Sequence, residues 1–145
     1  MSLLVWLPFT KDLTNRGLSD ISITNNNAVI NNNGKLGKCY SFDGDDTMTS
    51  NKVINITGDA SYTIMFWMYW SADTWSTGYV GVAGFGAMST ANGAWGCIHN
   101  GYPDLDFWNQ RYQSNTQLSV KTWYHIAFVK EAGTKCSGKI YVNGE

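Results

Sequence analysis

Charge, proline and helical patterning are all scarce in this chain of 145 residues. Only 14% of its residues are charged, and 10 Lys+Arg stand against 11 Asp+Glu, for a formal net charge of −1. Such a balance gives no positive field to gather phosphates, so no nucleic-acid partner is expected. No window places apolar residues at i, i+3, i+4 and i+7 with helix formers between them. No apolar run approaches the ~18–20 residues that a membrane-spanning helix needs, so no membrane partner is expected either. The opening Met1-Ser2-Leu3-Leu4-Val5-Trp6-Leu7-Pro8-Phe9 lacks a basic stretch before its apolar run and a small-residue cleavage site after it. The expectation is synthesis in the cytosol, with any exit inside an assembly. Cys39, Cys97 and Cys136 are odd in number, far apart in sequence and free of any Cys-x-x-Cys. They read as reduced packing thiols, with one disulfide plus a free thiol as the alternative. His99 and His125 lack zinc-ligand spacing, and His125 reads as a packed sheet residue. Asn55-Ile56-Thr57 fits a glycosylation sequon that carries no meaning without secretion.

What is present favours β-structure. Hydrophobic residues make up 43% and aromatics 14%, with 7 Trp, 8 Tyr and 15 Gly. The apolar content excludes a disordered chain. Aromatic and β-branched side chains pack on pleated surfaces, and glycine supplies turns. Strands are predicted at 3–7, 21–24, 28–30, 39–42, 47–56, 61–70, 79–85, 94–99, 105–108, 123–130 and 139–142. The strongest, 61–70, has two apolar faces, which predicts a central strand covered on both sides, or covered on one side and lining a groove on the other. Alternation in the strongest strands puts Ile64, Phe66, Met68, Ile126, Phe128, Ile140 and Val142 in the core. Strands recurring every 8–12 residues between turn signals predict one antiparallel β-sandwich over 1–145. Asn143-Gly144 reads as a two-residue hairpin turn. The turn calls for a return strand, so Lys139–Val142 is expected to lack its partner, and the isolated chain is expected not to be a stable monomer.

Several segments resemble, in order, the laminin-G-like branch of the concanavalin A-like lectin/glucanase superfamily. They are Leu4-Val5-Trp6-Leu7-Pro8-Phe9, Gly37-Lys38-Cys39-Tyr40-Ser41-Phe42-Asp43-Gly44, Ser61-Tyr62-Thr63-Ile64-Met65-Phe66-Trp67-Met68, Trp123-Tyr124-His125-Ile126-Ala127-Phe128-Val129 and Lys139-Ile140-Tyr141-Val142-Asn143-Gly144. The resemblance implies an all-β jelly roll, here apparently lacking its C-terminal strands, because family members continue past the Asn-Gly turn. The chain as far as Lys11-Asp12-Leu13-Thr14-Asn15-Arg16-Gly17 also resembles small proteins of this family encoded among bacteriophage structural genes. That implies a virion protein made in the host cytoplasm, oligomeric with other virion subunits and in contact with them or with host glycans. A carbohydrate-binding module of a bacterial surface protein and a degenerate glycoside hydrolase are the alternatives.

Three sites follow. Asp104-Leu105-Asp106 places two carboxylates on one strand face, as in glucanases of the superfamily, whose Glu-x-Asp-x-x-Glu it resembles. Trp108-Asn109 stand where the second Glu belongs, so the general acid is lacking, no catalysis is expected, and the pair reads as two solvated acids. Asp43, Asp45 and Asp46 crowd one turn and make Ca²⁺ the one candidate cofactor, with a solvated turn as the plainer alternative. Trp75, Trp95, Tyr102, Trp108 and Tyr112 sit in or beside predicted loops and are the candidate ligand-binding aromatics for a sugar or a protein.

Overall fold

A computed structural model of the chain describes residues 2–54, 56, 60–86, 93–107, 110–133 and 138–145. Eleven strands and no helix occur among them: β1 Ile23–Asn26, β2 Val29–Gly34, β3 Gly37–Ser41, β4 Thr47–Ser50, β5 Tyr62–Tyr69, β6 Tyr79–Gly86, β7 Gly93–His99, β8 Tyr102–Asp106, β9 Arg111–Gln113, β10 Trp123–Lys130 and β11 Gly138–Val142. All described pairings are antiparallel. The chain divides into two compact units, Met1–Ile54 and Asn55–Glu145.

The first unit holds two two-stranded sheets, β1–β4 and β2–β3. The expected strand at 3–7 does not form. Pro8 removes a donor from its end, and Phe9 turns to φ 57°. The segment is tied instead to residues 15–19. Leu18 and Ser19 donate their backbone N–H to Leu3 and Leu4, and Arg16 donates to Trp6. Asn15 completes the link: its Oδ1 accepts from the N–H of Trp6 and Gly17, and its Nδ2 donates to the carbonyls of Leu4 and Ser19. A Cβ at Gly17 would meet the Leu4 carbonyl oxygen at 2.4 Å, so only glycine allows this approach. Asn31-Asn32-Asn33, beyond the strand predicted at 28–30, lies within β2, where Asn31 pairs with Cys39 before the register to β3 shifts.

The second unit is a sandwich of two sheets, one ordered β6-β7-β8-β9 and the other β11-β10-β5. Ala94 and Ile98 from β7 and Leu105 from β8, with Phe107 and Leu118 beside them, meet Ile126 and Phe128 from β10 and Val142 from β11 in one core. Ile64, Phe66, Met68 and Ile140, all expected inside, are partly buried against it. Each fully buried large side chain stabilises the fold by about 1.5–3 kcal/mol. Two glycines let the sheets approach: a Cβ on Gly96 would lie 2.2 Å from the Phe128 ring, and one on Gly138 would lie 2.6 Å from Leu105 Cδ2.

Alternation along β5 follows the pattern of its residues, but the strand is not central. Among the described residues it ends its three-stranded sheet, pairing with β10, and it turns Met65, Trp67 and Tyr69 outward. β11 pairs with β10 from Gly138 to Val142, as the resemblance to the family's hairpin implies, and ends that sheet among the described residues. The Asn143-Gly144 turn forms as expected, with φ 54° and 93° and with Val142 and Glu145 exchanging both backbone hydrogen bonds. β8 begins three residues earlier than its apolar residues suggest. A second Asn-Gly turn, Asn100-Gly101 at φ 51° and 87°, sets its start. β9, of three residues, is too short to show any alternation that would mark it in the sequence.

Candidate functional site on the outer face of the β6–β9 sheet

Register alone builds this site. Residues directly opposite one another in an antiparallel pair share a face, so the side of the β6–β9 sheet away from the core carries three rows. Tyr79, His99 and Tyr102 form the first, Gly81, Cys97, Asp104 and Gln113 the second, and Gly84, Trp95, Asp106 and Arg111 the third.

Side chains link the rows. The exposed Tyr79 ring stacks on His99 at 4.3 Å and 9°, and the Arg111 guanidinium lies 5.3 Å from the Tyr79 ring centre. Arg111 Nε donates to Asp104 Oδ2 at 3.1 Å. Gln113 Nε2 donates to the same oxygen at 3.4 Å and lies 3.3 Å from His99 Nδ1. Trp95 lies over Gly84, where a Cβ would fall 2.7 Å from the indole Cδ1.

The acid pair departs from its expected setting. Asp104 is not a solvated carboxylate: it is 0% exposed, and its Oδ1 has no hydrogen-bond partner. Its neighbours on β7 and β9 close over a strand interior, not a strand end, and Arg111 supplies the charge that makes burial tolerable. Burial pushes the carboxyl from its ordinary 3.8 up to about 6, the nearby Asp106 adds to the rise, and the Gln113 hydrogen bond opposes it. Burial, with Asp104 and Asp106 behind it, pushes the Cys97 thiol to about 11. That thiol stays protonated and unreactive at neutral pH. Cys39 and Cys97 are both free thiols, as expected; Cys136 lies outside the described residues.

The four candidate aromatics among the described residues are not brought together. Trp95 and Tyr102 belong to the outer face, in strands and not in loops. Tyr112 points to the other side and meets Phe107 edge-on at 6.3 Å. Trp75 packs against the core, stacks on Trp70 at 4.9 Å and donates its indole N–H to the Leu118 carbonyl at 2.9 Å. Trp108 lies outside the described residues. Tyr79, Arg111 and Gln113 stand outside the candidates the sequence offers. The turn signal at Asn100-Gly101 and the period of two along β7 place His99 beside Tyr102 and Cys97 beside Asp104; nothing local marks Tyr79 or Arg111 as their neighbours. His125 sits in its sheet against Trp67 at 5.4 Å, as a packed residue should.

In the first unit, carboxylate oxygens of Asp43, Asp45 and Asp46 lie within 4.8 Å of one another. Hydrogen bonding and repulsion from Asp43 raise the Asp45 carboxyl above its ordinary value, a strain a cation would relieve. Asp46 Oδ2, however, accepts the Asp43 backbone N–H at 2.9 Å. The turn therefore offers Ca²⁺ three carboxylates, against the six to eight oxygens it takes, and water would have to complete the shell.

Sequence comparison agrees with this architecture: the profile of the concanavalin A-like lectin/glucanases superfamily matches residues 42–145. The chain belongs to that superfamily. Laminin-G-like domains of the superfamily are typically non-catalytic binding modules, and this member is a binding or structural module. No curated protein and no solved structure matches the chain.

Proposed function

We propose that this chain is a non-enzymatic module of a bacteriophage particle, made in the host cytoplasm and built into the virion as a head-decoration, tail or fibre component. The outer β6–β9 face is its contact surface, for other virion subunits or for glycans of the host. One observation carries the reading: Tyr79, Trp95 and His99 share that face with Asp106, Arg111 and Gln113. Flat rings beside planar hydrogen-bonding groups suit both a sugar ring and a protein partner. The resemblance of the opening residues, as far as Gly17, to phage structural proteins supports the virion setting. Ca²⁺ at the Asp43 turn would be an accessory to the fold and no part of the contact.

A glycan array and a sizing experiment on the same preparation test the reading. Glycan binding that is lost in Trp95→Ala and Tyr79→Ala assigns the face to host glycans. A blank array with self-association that those variants abolish assigns it to subunit contacts. Wild-type behaviour of both variants in both assays overturns it. The same array, if positive for a purified bacterial wall polysaccharide, also fits the alternative of a bacterial surface carbohydrate-binding module.

A degenerate glycoside hydrolase is the second reading, and the raised Asp104 carboxyl beside Asp106 favours it. Against it, Asp104 is sealed from solvent and clamped by Arg111. Release of reducing ends from β-glucans that disappears in Asp104→Asn would establish it.

A further inference from the structure

Asp104 is a buried acid with one oxygen held and the other idle. Oδ2 accepts from both Arg111 and Gln113, whereas Oδ1, equally buried, accepts from nothing. An idle buried oxygen is the place where an added proton removes an unfavourable charge, and the guanidinium bound to that acid loses its buried ionic partner once the charge is gone. We propose that a proton on Asp104 Oδ1 releases Arg111: the ionised acid clamps the guanidinium over Tyr79, and the neutral acid lets it swing into solvent, giving the outer face a mobile cation. The inference rests on reading this face as a contact surface and adds its regulation.

The geometry suits such a release. The Arg111 side chain is 36% exposed, so solvent is already within reach of its other edge. On the outer face the titratable groups around Asp104 are Tyr79 from β6, Cys97 and His99 from β7, Tyr102 and Asp106 from β8 and Arg111 from β9. Across the core, β10 contributes the buried Lys130, whose Nζ donates to the Glu131 carbonyl. Cys97 keeps its proton throughout, because burial holds its thiol near 11. The acid's own tendency to ionise only near pH 6 places the release in mildly acidic conditions. A surface that gains a free cation there would grip anionic partners more tightly than at neutral pH.

The test is an NMR titration of the full 145-residue chain from pH 8 to pH 4.5, following the Arg111 Nε–H and the Asp104 carboxyl carbon. Both signals are expected to move with one shared midpoint near 6, and the Arg111 movement is expected to vanish in Asp104→Asn. His99→Gln and Asp106→Asn should leave a single shared transition. An Arg111 signal that stays fixed while Asp104 titrates overturns the proposal, and so does one that follows the loss of His99. Should Asp104→Asn fail to fold, the wild-type carbon signal still decides. Loss of all glycan and subunit binding would defeat the contact reading and leave this titration unaffected.

Discussion

The two units of this chain use opposite means to hold a backbone. Among the described residues of the first, the only buried hydrophobic side chain is Ala28, while Leu18, Val29, Leu36 and Val53 are exposed. Order there comes from asparagine: Asn15 makes four bonds to backbone, Asn25 donates to the Ala28 carbonyl, and Asn51 accepts from Ser22. The second unit keeps Ile98, Leu105, Ile126 and Phe128 dry between two sheets. A side-chain amide can direct a turn, but a net gain of about 1 kcal/mol per hydrogen bond does not replace burial of a whole aromatic side chain. Shape in the first unit is therefore local, and shape in the second is collective.

The sharpest way to break the contrast is Phe128→Ala. It leaves a void under Gly96 and should cost about 3–5 kcal/mol, read by denaturant unfolding of the full chain. A cost under about 1 kcal/mol would mean that the two sheets are not packed as described.

Asp104 comes next, through pH. Its folded value lies above its ordinary one, so its contribution to stability is fully present below about pH 4 and is lost as pH rises through about 6. Between those limits the difference amounts to roughly 2–3 kcal/mol. Other carboxylates run the other way, since Asp12 and Asp20 are lowered by their hydrogen bonds to Thr14 and Lys52. The comparison is thus with Asp104→Asn: the wild type should lose stability relative to the variant as pH rises from 4 to 7. A constant difference would show that Arg111 cancels the cost of burial.

In the first unit, Asn15→Ala should cost about 1–2 kcal/mol, confined to 3–19 and visible as faster amide exchange at Trp6 and Gly17. If exchange quickens throughout the chain instead, the local picture fails. Leu36→Ser, at a side chain 75% exposed, should change stability by less than about 0.5 kcal/mol. A larger loss would mean that this surface is covered in solution. The smallest effect concerns Ca²⁺: millimolar addition should raise the melting temperature of the wild type slightly and leave that of Asp45→Asn unchanged, by scanning calorimetry.

Legibility followed the same divide. The sequence pattern matches β10 to the residue because Ile126 and Phe128 alternate inward along it, and it exceeds β5 by only one residue at each end. The core contribution of β7 and β8 was hidden, since Ile98 and Leu105 are separated from other apolar positions by Gly96, Pro103 and Asp104. Within the candidate site, the two acids and Trp95 were visible as residues but not in their setting. Burial of Asp104 depends on Arg111 and Gln113, brought alongside by a strand of three residues that leaves no periodic signal. In the first unit, a run such as Leu3–Leu7 reads as a strand on composition, and only the bonding of Asn15 decides otherwise.

The pairing of β5 with β10 also bears on how the chain finds its fold. Every strand pairing within the β6–β9 sheet joins strands that are neighbours in sequence, so that meander can zip up by short loop closures. Tyr62–Tyr69 must instead wait for Trp123–Lys130, with the whole meander lying between them in sequence. The entropy lost in closing that loop comes before the Phe66–Phe128 contact rewards it, so sealing the sandwich carries a larger closure cost than zipping the meander and is expected to be the slow step. Until then the outward and inward apolar residues of β5 are equally exposed to other chains, and the slow step is also the hazardous one.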